Sequence, residues 1–338
     1  MSLEYPFEDV PAPGQPVEVA PGVRWLRMPL PFALDHINLW LLDDGDDLAV
    51  VDTGFGTPET RALWEDVLAA EKRRISGVVV THFHPDHLGL AEWLAGRDGA
   101  PVYMAEAEYL AAKAVWHALP GHSTADMVAF FRRHGLDPAR LDALTARGNT
   151  YARGVPELPR EHRRMFAGDR LSIGGRSWVV IVGHGHSPEH ASLYCAETDV
   201  LISGDMLLPR ISTNVSVHAA NPMDDALGWF LCSLHRIIDL PSGTLVLPSH
   251  GKPFRGIRER IEELEAHHAD RCSALIEAMS HPISAAQLLP TLFRRELDNH
   301  QVMFAMGETI AHLNHLQRRG RIRRIDEADG SILYARMR

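Results

Sequence analysis

The sequence predicts an α+β protein: sheet layers covered by helices, a helical insertion, and a C-terminal segment of different texture. Three observations carry this expectation. Apolar runs alternate with Gly- and Asp-rich turns through the first hundred residues and again from about 170 to 250. Residues from about 105 to 150 are helical in pattern. Around Gly256 the pattern changes again. With 338 residues, 45% hydrophobic and 23% charged, the chain is long enough for about two domains, one of them with a large core.

Each element follows from its local pattern. "VEVAPGVRWLRMPL" and "INLWLL" read as strands, with "DDGDD" at 43–47 as a hairpin turn. "LAVVDTGFG" is an apolar strand that ends in Asp52 and a Gly-rich turn. In "TPETRALWEDVLAAEKRR" Leu63, Val67 and Leu68 show helical spacing, and Thr57 before Pro58 reads as a cap and first-turn pair. "ISGVVVTH" is a buried strand and "GLAEWLAG" opens another helix. "AEAEYLAAKAVWHAL", "TADMVAFFRRHG" and "DPARLDALTARG" form the helical insertion. Strands return in "RLSIGGRSWVVIVGHGHS", "HASLYCAETDVLISGDMLL" and "GTLVLPSHG". After Gly256, Ile257, Ile261, Leu264, Leu275 and Met279 make one helical stripe. A second helix is capped by Ser284 and a third is stopped by Gly320. "RIRRIDEADGSILYARM" then alternates about a DG turn, a hairpin signal. The expected boundaries are 1–255, with the insertion at about 105–150, and 256–338. Three helices and a hairpin over about 80 residues resemble a winged-helix domain.

Charge and cysteine usage exclude several classes. The formal charge is −10; residues 257–338 hold 12 Lys/Arg against 12 Asp/Glu, so the whole excess falls on the first 256 residues. An acidic body argues against avid nucleic-acid binding. Arg318, Arg319, Arg321, Arg323 and Arg324 form a basic run, but Asp326, Glu327 and Asp329 stand beside it. Cys195, Cys232 and Cys272 lack the spacing of a disulfide framework or a thiolate zinc site. No apolar run reaches the roughly 20 residues needed to span a membrane, and the N-terminus lacks a signal-peptide pattern, so the expected location is the cytoplasm.

The chemistry is concentrated in "VVVTHFHPDHLGL", residues 78–90, which packs His82, His84, Asp86 and His87 just past a buried strand. His82 and His84 point the same way from extended chain, Pro85 bends it, and Asp86 with His87 starts a helix. Imidazole suits zinc or iron, and a carboxylate adds charge. Further candidates stand at other strand ends: His184, His186 and His190, then Asp205, then His250. Polar groups at the ends of buried strands converge on one sheet edge, where layered folds place their sites.

This combination resembles the metallo-β-lactamase superfamily. The pattern H-x-H-x-D-H stands at His82, His84, Asp86 and His87, and the D-T-G element at Asp52. The resemblance covers about residues 17–255 and, with the appended domain, a branch of hydrolases that carries a C-terminal winged-helix-like domain. It implies a four-layer αβ/βα sandwich. It also implies two divalent metals, zinc first, with iron or manganese compatible. His82, His84 and His186 would hold one ion and Asp86, His87 and His250 the other, with Asp205 bridging. His184 contends with His186, which is favoured because Gly185 precedes it and "SPEH" follows. Asp52, His184 and His190 would orient ligands rather than bind metal.

The implied function is metal-dependent hydrolysis, in which a metal-bound hydroxide attacks a carbonyl and Asp86 and Asp205 are catalytic. A metal lowers the pKa of its water from 15.7 to about 7, and two metals clamp the developing charge. A small thioester, lactone or other ester is the expected substrate; the alternative is an endoribonuclease or phosphodiesterase of the same fold. The stretch after Asp205 departs from the glyoxalase II pattern, and His84 stands where flavodiiron reductases have Glu. Arg210 and His218 are candidates to reach the mouth of the site. Trp116, Phe130, Phe131 and Tyr151 are candidate lid or core aromatics. A homodimer is compatible with the chain.

Overall fold

The structure is a computed structural model that describes residues 3–32 and 34–337. Strands β1 (Val17–Ala20), β2 (Val23–Pro29), β3 (His36–Asp44) and β4 (Asp47–Val51) lead into α1 (Pro58–Glu71) and β5 (Ile75–Val79). After α2 (Pro85–Leu88), α3 (Ala91–Asp98) and β6 (Val102–Met104) come the helices α4 (Glu106–Trp116), α5 (Thr124–Arg133), α6 (Pro138–Arg147) and α7 (Tyr151–Gly154). Strands β7 (Arg163–Arg164), β8 (Arg170–Ile173), β9 (Arg176–Gly183), β10 (His190–Cys195) and β11 (Val200–Gly204) precede α8 (Ala226–Leu234) and β12 (Leu245–Pro248). The chain ends in α9 (Ile257–Ala278), α10 (Ala285–Leu292), α11 (Asn299–Arg318), β13 (Ile322–Asp326) and β14 (Ile332–Arg336).

Local chemistry sets these boundaries. The Thr57 hydroxyl accepts from the Thr60 amide with Pro58 behind it, so the first helix begins where the capping pattern places it. Ser284 and Gln287 make a reciprocal capping box on α10, and Asp298 with Gln301 makes one on α11. The run read as one strand from Val17 is two, because Pro21–Gly22 turns it into a hairpin.

Two sheets carry the first compact unit, which comprises residues 1–113, 151–213 and 234–261. One has the order β1-β2-β3-β4-β5-β6-β7, antiparallel up to β4 and parallel from there on. The other has the order β12-β11-β10-β9-β8, with only β11 and β12 parallel. Their facing residues share one core: Trp25, Trp40, Val51 and Val79 from the first sheet, Trp178, Val180, Leu193, Ile202 and Leu247 from the second. Such a layered α+β sandwich buries one face of each sheet against the other. Helix α3 packs on β5 and β6, and α1 on β2.

The second compact unit comprises residues 114–150, 214–233 and 262–338. Within it α5 packs on α6, α6 on α11, and α11 on α10 and β13. The helix–helix–helix–hairpin order expected after Gly256 is present, with Asp329–Gly330 in the turn. The packing units cut across a linear division at residue 255. Of the 105–150 insertion, residues 106–113 group with the sheets, and α5 and α6 group with α11, which offers them a long buried face. Among the described residues no helix is long and apolar enough to cross a membrane.

Candidate metal centre

Strand β5 runs straight into Thr81 and His82, both fully buried, and then into a turn that a single helical turn, α2, completes. Pro85 occupies the first helical position, where its missing N–H costs nothing. The result puts His82 and His84 on one side of the bend and Asp86 and His87 on the other.

Two groups of donors form. His82, His84, His186 and Asp205 each offer one atom, all within 4.8 Å of one another, and so do Asp86, His87 and His250. In the first, His82 Nε2 lies 2.9 Å from His84 Nδ1 and 3.1 Å from His186 Nε2. Asp205 belongs to both neighbourhoods: Oδ2 is 3.4 Å from His186 Nε2, while Oδ1 is 3.5 Å from His250 Nε2 and 3.7 Å from His87 Nε2. Thus His186, not His184, stands in the cluster. His184 is half-buried and its Nδ1 turns to the Pro188 carbonyl at 2.6 Å.

The far sides of His82, His87 and His250 are fixed. Asp52, at the end of β4, accepts from the Thr81 amide and hydroxyl, both at 2.8 Å, and from His87 Nδ1 at 2.7 Å. It does so from the left-handed region, φ 60°, which a short polar side chain tolerates better than most. With its hydroxyl proton on Asp52, Thr81 Oγ1 accepts from His82 Nδ1 at 3.0 Å, which leaves His82 Nε2 as a lone pair facing the cluster. His250 Nδ1 donates to the His36 carbonyl at 2.9 Å, with the same consequence for its Nε2. His190, read as a supporting residue, accepts the Asp205 amide at 3.0 Å on its Nε2. Gly204 permits that approach: with φ 55°, a Cβ there would sit 2.3 Å from His190 Nε2.

Two of the inward atoms, His87 Nε2 and Asp205 Oδ1, are buried without a hydrogen-bond partner. Buried polar atoms are ordinarily paired, so a pair left facing each other at 3.7 Å calls for a shared partner. Donors bound to one zinc at about 2.0–2.1 Å stand roughly 3.3 Å apart at tetrahedral angles, close to the spacings here. The residues therefore fit divalent cations, and the two groups are capable of holding them.

Protonation differs between the two groups. Burial, then the neighbouring His87, His84, His186 and His190, hold His82 well below the ordinary imidazole range, in the neutral form that ligates. Burial opposes charge on His87 too, but Asp86, Asp52 and Asp205 outweigh it and push its pKa up to about 10. Burial would raise Asp86, yet His87 and His250 hold it well below the usual carboxylate range. Burial likewise opposes charge on His250, and Asp205 and Asp86 overcome it and raise that imidazole. The second group draws positive charge to itself.

Several residues that hold the cluster carry no motif. Asn38, fully buried, donates to the Pro248 and Gly251 carbonyls, both at 2.8 Å, and so spans the turn that bears His250. Thr53 accepts from the Leu90 amide and donates to the His87 carbonyl, bracketing α2. Glu108 takes donors from the loops on both sides of the first group. Arg260 fixes the Leu208 and Ile211 carbonyls beyond Asp205. Arg210 is exposed, its guanidinium 5.8 Å from the Tyr5 ring centre, and His218 is exposed in the second unit. Neither belongs to the donor groups. Tyr151 is buried and donates to the Phe83 carbonyl; Phe130 and Phe131 are buried in the second unit.

Residues 33–250 match the Metallo-beta-lactamase superfamily, and residues 272–337 match the Metallo-beta-lactamase-like, C-terminal domain family. Among curated relatives, the chain is 26% identical over 316 residues to the "Probable metallo-hydrolase YqjP" of Bacillus subtilis, covering 86% of this chain and 91% of the other. It is 22% identical over 235 residues to an "Atrochrysone carboxyl ACP thioesterase" of Aspergillus fumigatus, covering 68% of this chain and 55% of the other. A crystal structure of a beta-lactamase domain protein from Burkholderia ambifaria superposes with TM-score 0.92 at 47% identity, over 99% of this chain and 98% of the other. A metallo-beta-lactamase family protein from Thermus thermophilus does so with TM-score 0.80 at 31% identity, over 94% and 99%.

Proposed function

The chain belongs to the metallo-beta-lactamase superfamily and is a metallo-hydrolase, and on that premise we propose that it cleaves a small thioester, lactone or related ester with two divalent cations, zinc first. The observation that carries the reading is Asp205, one carboxylate within 3.4–3.7 Å of imidazoles from both donor groups. In this reading His82, His84 and His186 would hold one cation and Asp86, His87 and His250 the other, with Asp205 placed beside both groups. Bound cations would supply Lewis acidity toward a carbonyl oxygen and lower the pKa of water. Asp86, the more accessible carboxylate with its side chain 18% exposed against 10% for Asp205, would orient the attacking water by accepting a hydrogen bond from it. Thr81, Asp52 and the His36 carbonyl hold the Nδ1 side of His82, His87 and His250 in turn and leave Nε2 of each facing inward.

Two features favour an acyl substrate. A relative is named as an acyl-carrier thioesterase. Phe32 and Leu34 are exposed on the loop before His36, and Phe32 meets Phe55 edge to face at 5.2 Å. Phe55 follows the Asp52–Gly54 turn, so one loop leads into His36 and the other leaves Asp52, both residues that hold the cluster.

Purified protein with zinc is expected to hydrolyse acyl-thioester or lactone panels, to lose that activity on chelation, and to regain it on zinc addition. Single-stranded RNA cleavage abolished in Asp86→Ala, with no ester or thioester turnover, would replace this reading with the nuclease one. A second expectation concerns Asp52→Asn. Asn keeps the shape and tolerates the backbone, but its amide turns a donor toward groups that already donate. Zinc affinity or turnover should fall about 10–100-fold, and stability by about 1–3 kcal/mol. Equal zinc isotherms for variant and parent would remove Asp52 from this role.

A further inference from the structure

Glu108 is not part of the H-x-H-x-D-H signature and touches none of the seven donor residues, yet its surroundings are unusual. It is fully buried in α4, and no Lys, Arg or His of the described residues pairs with it. A carboxylate in that position is costly unless donors replace its water. Three do. Oε2 accepts the Phe83 amide at 2.9 Å; Oε1 accepts the Ser187 hydroxyl at 2.7 Å and the Glu189 amide at 2.5 Å. Phe83 is the residue between His82 and His84, and Ser187 follows His186. A single side chain thus holds both segments that supply the histidines of the first donor group.

Neighbouring contacts tighten the same clamp. The Tyr151 hydroxyl donates to the Phe83 carbonyl, and the two rings stack with centroids 6.3 Å apart. Both sides of residue 83 are therefore fixed by side chains from other elements. Glu189 returns a bond by accepting the Ala107 amide at 3.2 Å, so α4 and the 187–189 loop hold each other in both directions. Nothing comparable links Glu108 to the second group, whose imidazoles lean on Asp52 and on the His36 carbonyl.

We propose that Glu108 is a positioning residue that fastens the His82–His84 segment to the His186 loop and so sets the affinity of that half of the centre for its cation, leaving the other half untouched. Donors must be held within about 0.5 Å to bind well, and a carboxylate spanning two loops does this more firmly than separate backbone contacts. The inference rests on the metal-centre reading above.

The test is a zinc titration of the whole protein by competition with a chromophoric chelator, with cobalt(II) absorption as a reporter of geometry. Wild type should bind two ions. Glu108→Gln, which keeps the volume but turns an amide donor toward one of the three donors, should keep one ion at wild-type affinity. The other should weaken about 10–100-fold, with a matching loss of part of the cobalt spectrum. Ser187→Ala removes one of the three bonds and should give a smaller loss at the same site; it carries the test if Glu108→Gln does not fold. Wild-type affinity for both ions in the folded variants would overturn the proposal while leaving the metal centre intact. A wild-type protein that binds no zinc would remove both.

Discussion

Replacing Asp205 by Asn is expected to leave a folded chain that no longer holds a pair of ions and hydrolyses its substrate on the order of 10³-fold more slowly, well beyond the 10–100-fold typical of groups that only orient ligands. Asp205 stands between the two groups, with Oδ2 3.4 Å from His186 and Oδ1 3.5 Å from His250 and 3.7 Å from His87. Asn has the same outline but no charge, and its amide protons would face imidazole nitrogens and repel a cation. The fold should survive because the backbone of residue 205 is held independently. Its N–H donates to His190 and its carbonyl accepts from the Thr213 hydroxyl at 2.5 Å, and both contacts are available to Asn. Elemental analysis, circular dichroism and initial rates on one preparation test the whole chain of argument. Full metal content with an unchanged rate would remove Asp205 from the centre.

The donors were legible in the sequence because chemistry and local geometry coincide there. Four ligand-capable side chains lie in the six residues from His82 to His87, and His186, Asp205 and His250 each follow an apolar strand. Between His184 and His186, the neighbouring Gly185 and "SPEH" favour His186, and the path of the loop puts that residue in the donor group. What holds the donors was not legible. Asn38 reaches carbonyls 210 and 213 residues away, and Glu108 reaches amides and a hydroxyl up to 81 residues away. No local pattern encodes such contacts. Glu108 did leave one trace: Ala105, Glu108, Tyr109 and Ala112 are all buried and fall at i, i+3, i+4 and i+7, so the Glu occupies the apolar stripe of its helix. A charged residue on such a stripe is a signal worth weighing. The grouping of α5 and α6 with α11 was hidden for a related reason: helix patterns show which face is apolar, not which partner covers it.

The second unit is expected to lose stability in mild acid through its buried histidines, and His134→Leu should recover part of that loss. Burial first, then Arg324 and Arg133, lower the His134 pKa to about 3, against a small opposing effect of Asp326. Burial first, then His312, His267, Arg271 and His315, lower His268 to about 3. Burial also leads for His312, helped by Arg271, His315 and His267 and opposed by its bond to the Glu308 carbonyl, and takes it to about 4. In the unfolded chain each would titrate near 6.5. Their folded values lie below that, so between about 6.5 and 3–4 the unfolded state binds more protons. Stability is therefore full above 6.5 and falls as pH drops, by about 1.36 kcal/mol per pH unit and group, or about 2 kcal/mol each at pH 5. His134 isolates the effect because neither ring nitrogen has a hydrogen-bond partner, its ring packing on Phe130 and Tyr334 at centroid distances of 4.7 and 6.1 Å. Leu fills a similar volume and removes the titrating group without orphaning a partner. Urea unfolding at pH 7.5 should give wild type and variant within about 1 kcal/mol of each other. At pH 5 the variant should be the more stable by about 2 kcal/mol. Any release of bound cations in acid affects both proteins alike, so the difference between them reports the imidazole; an identical pH 7.5-to-5 loss in both would sink the assignment.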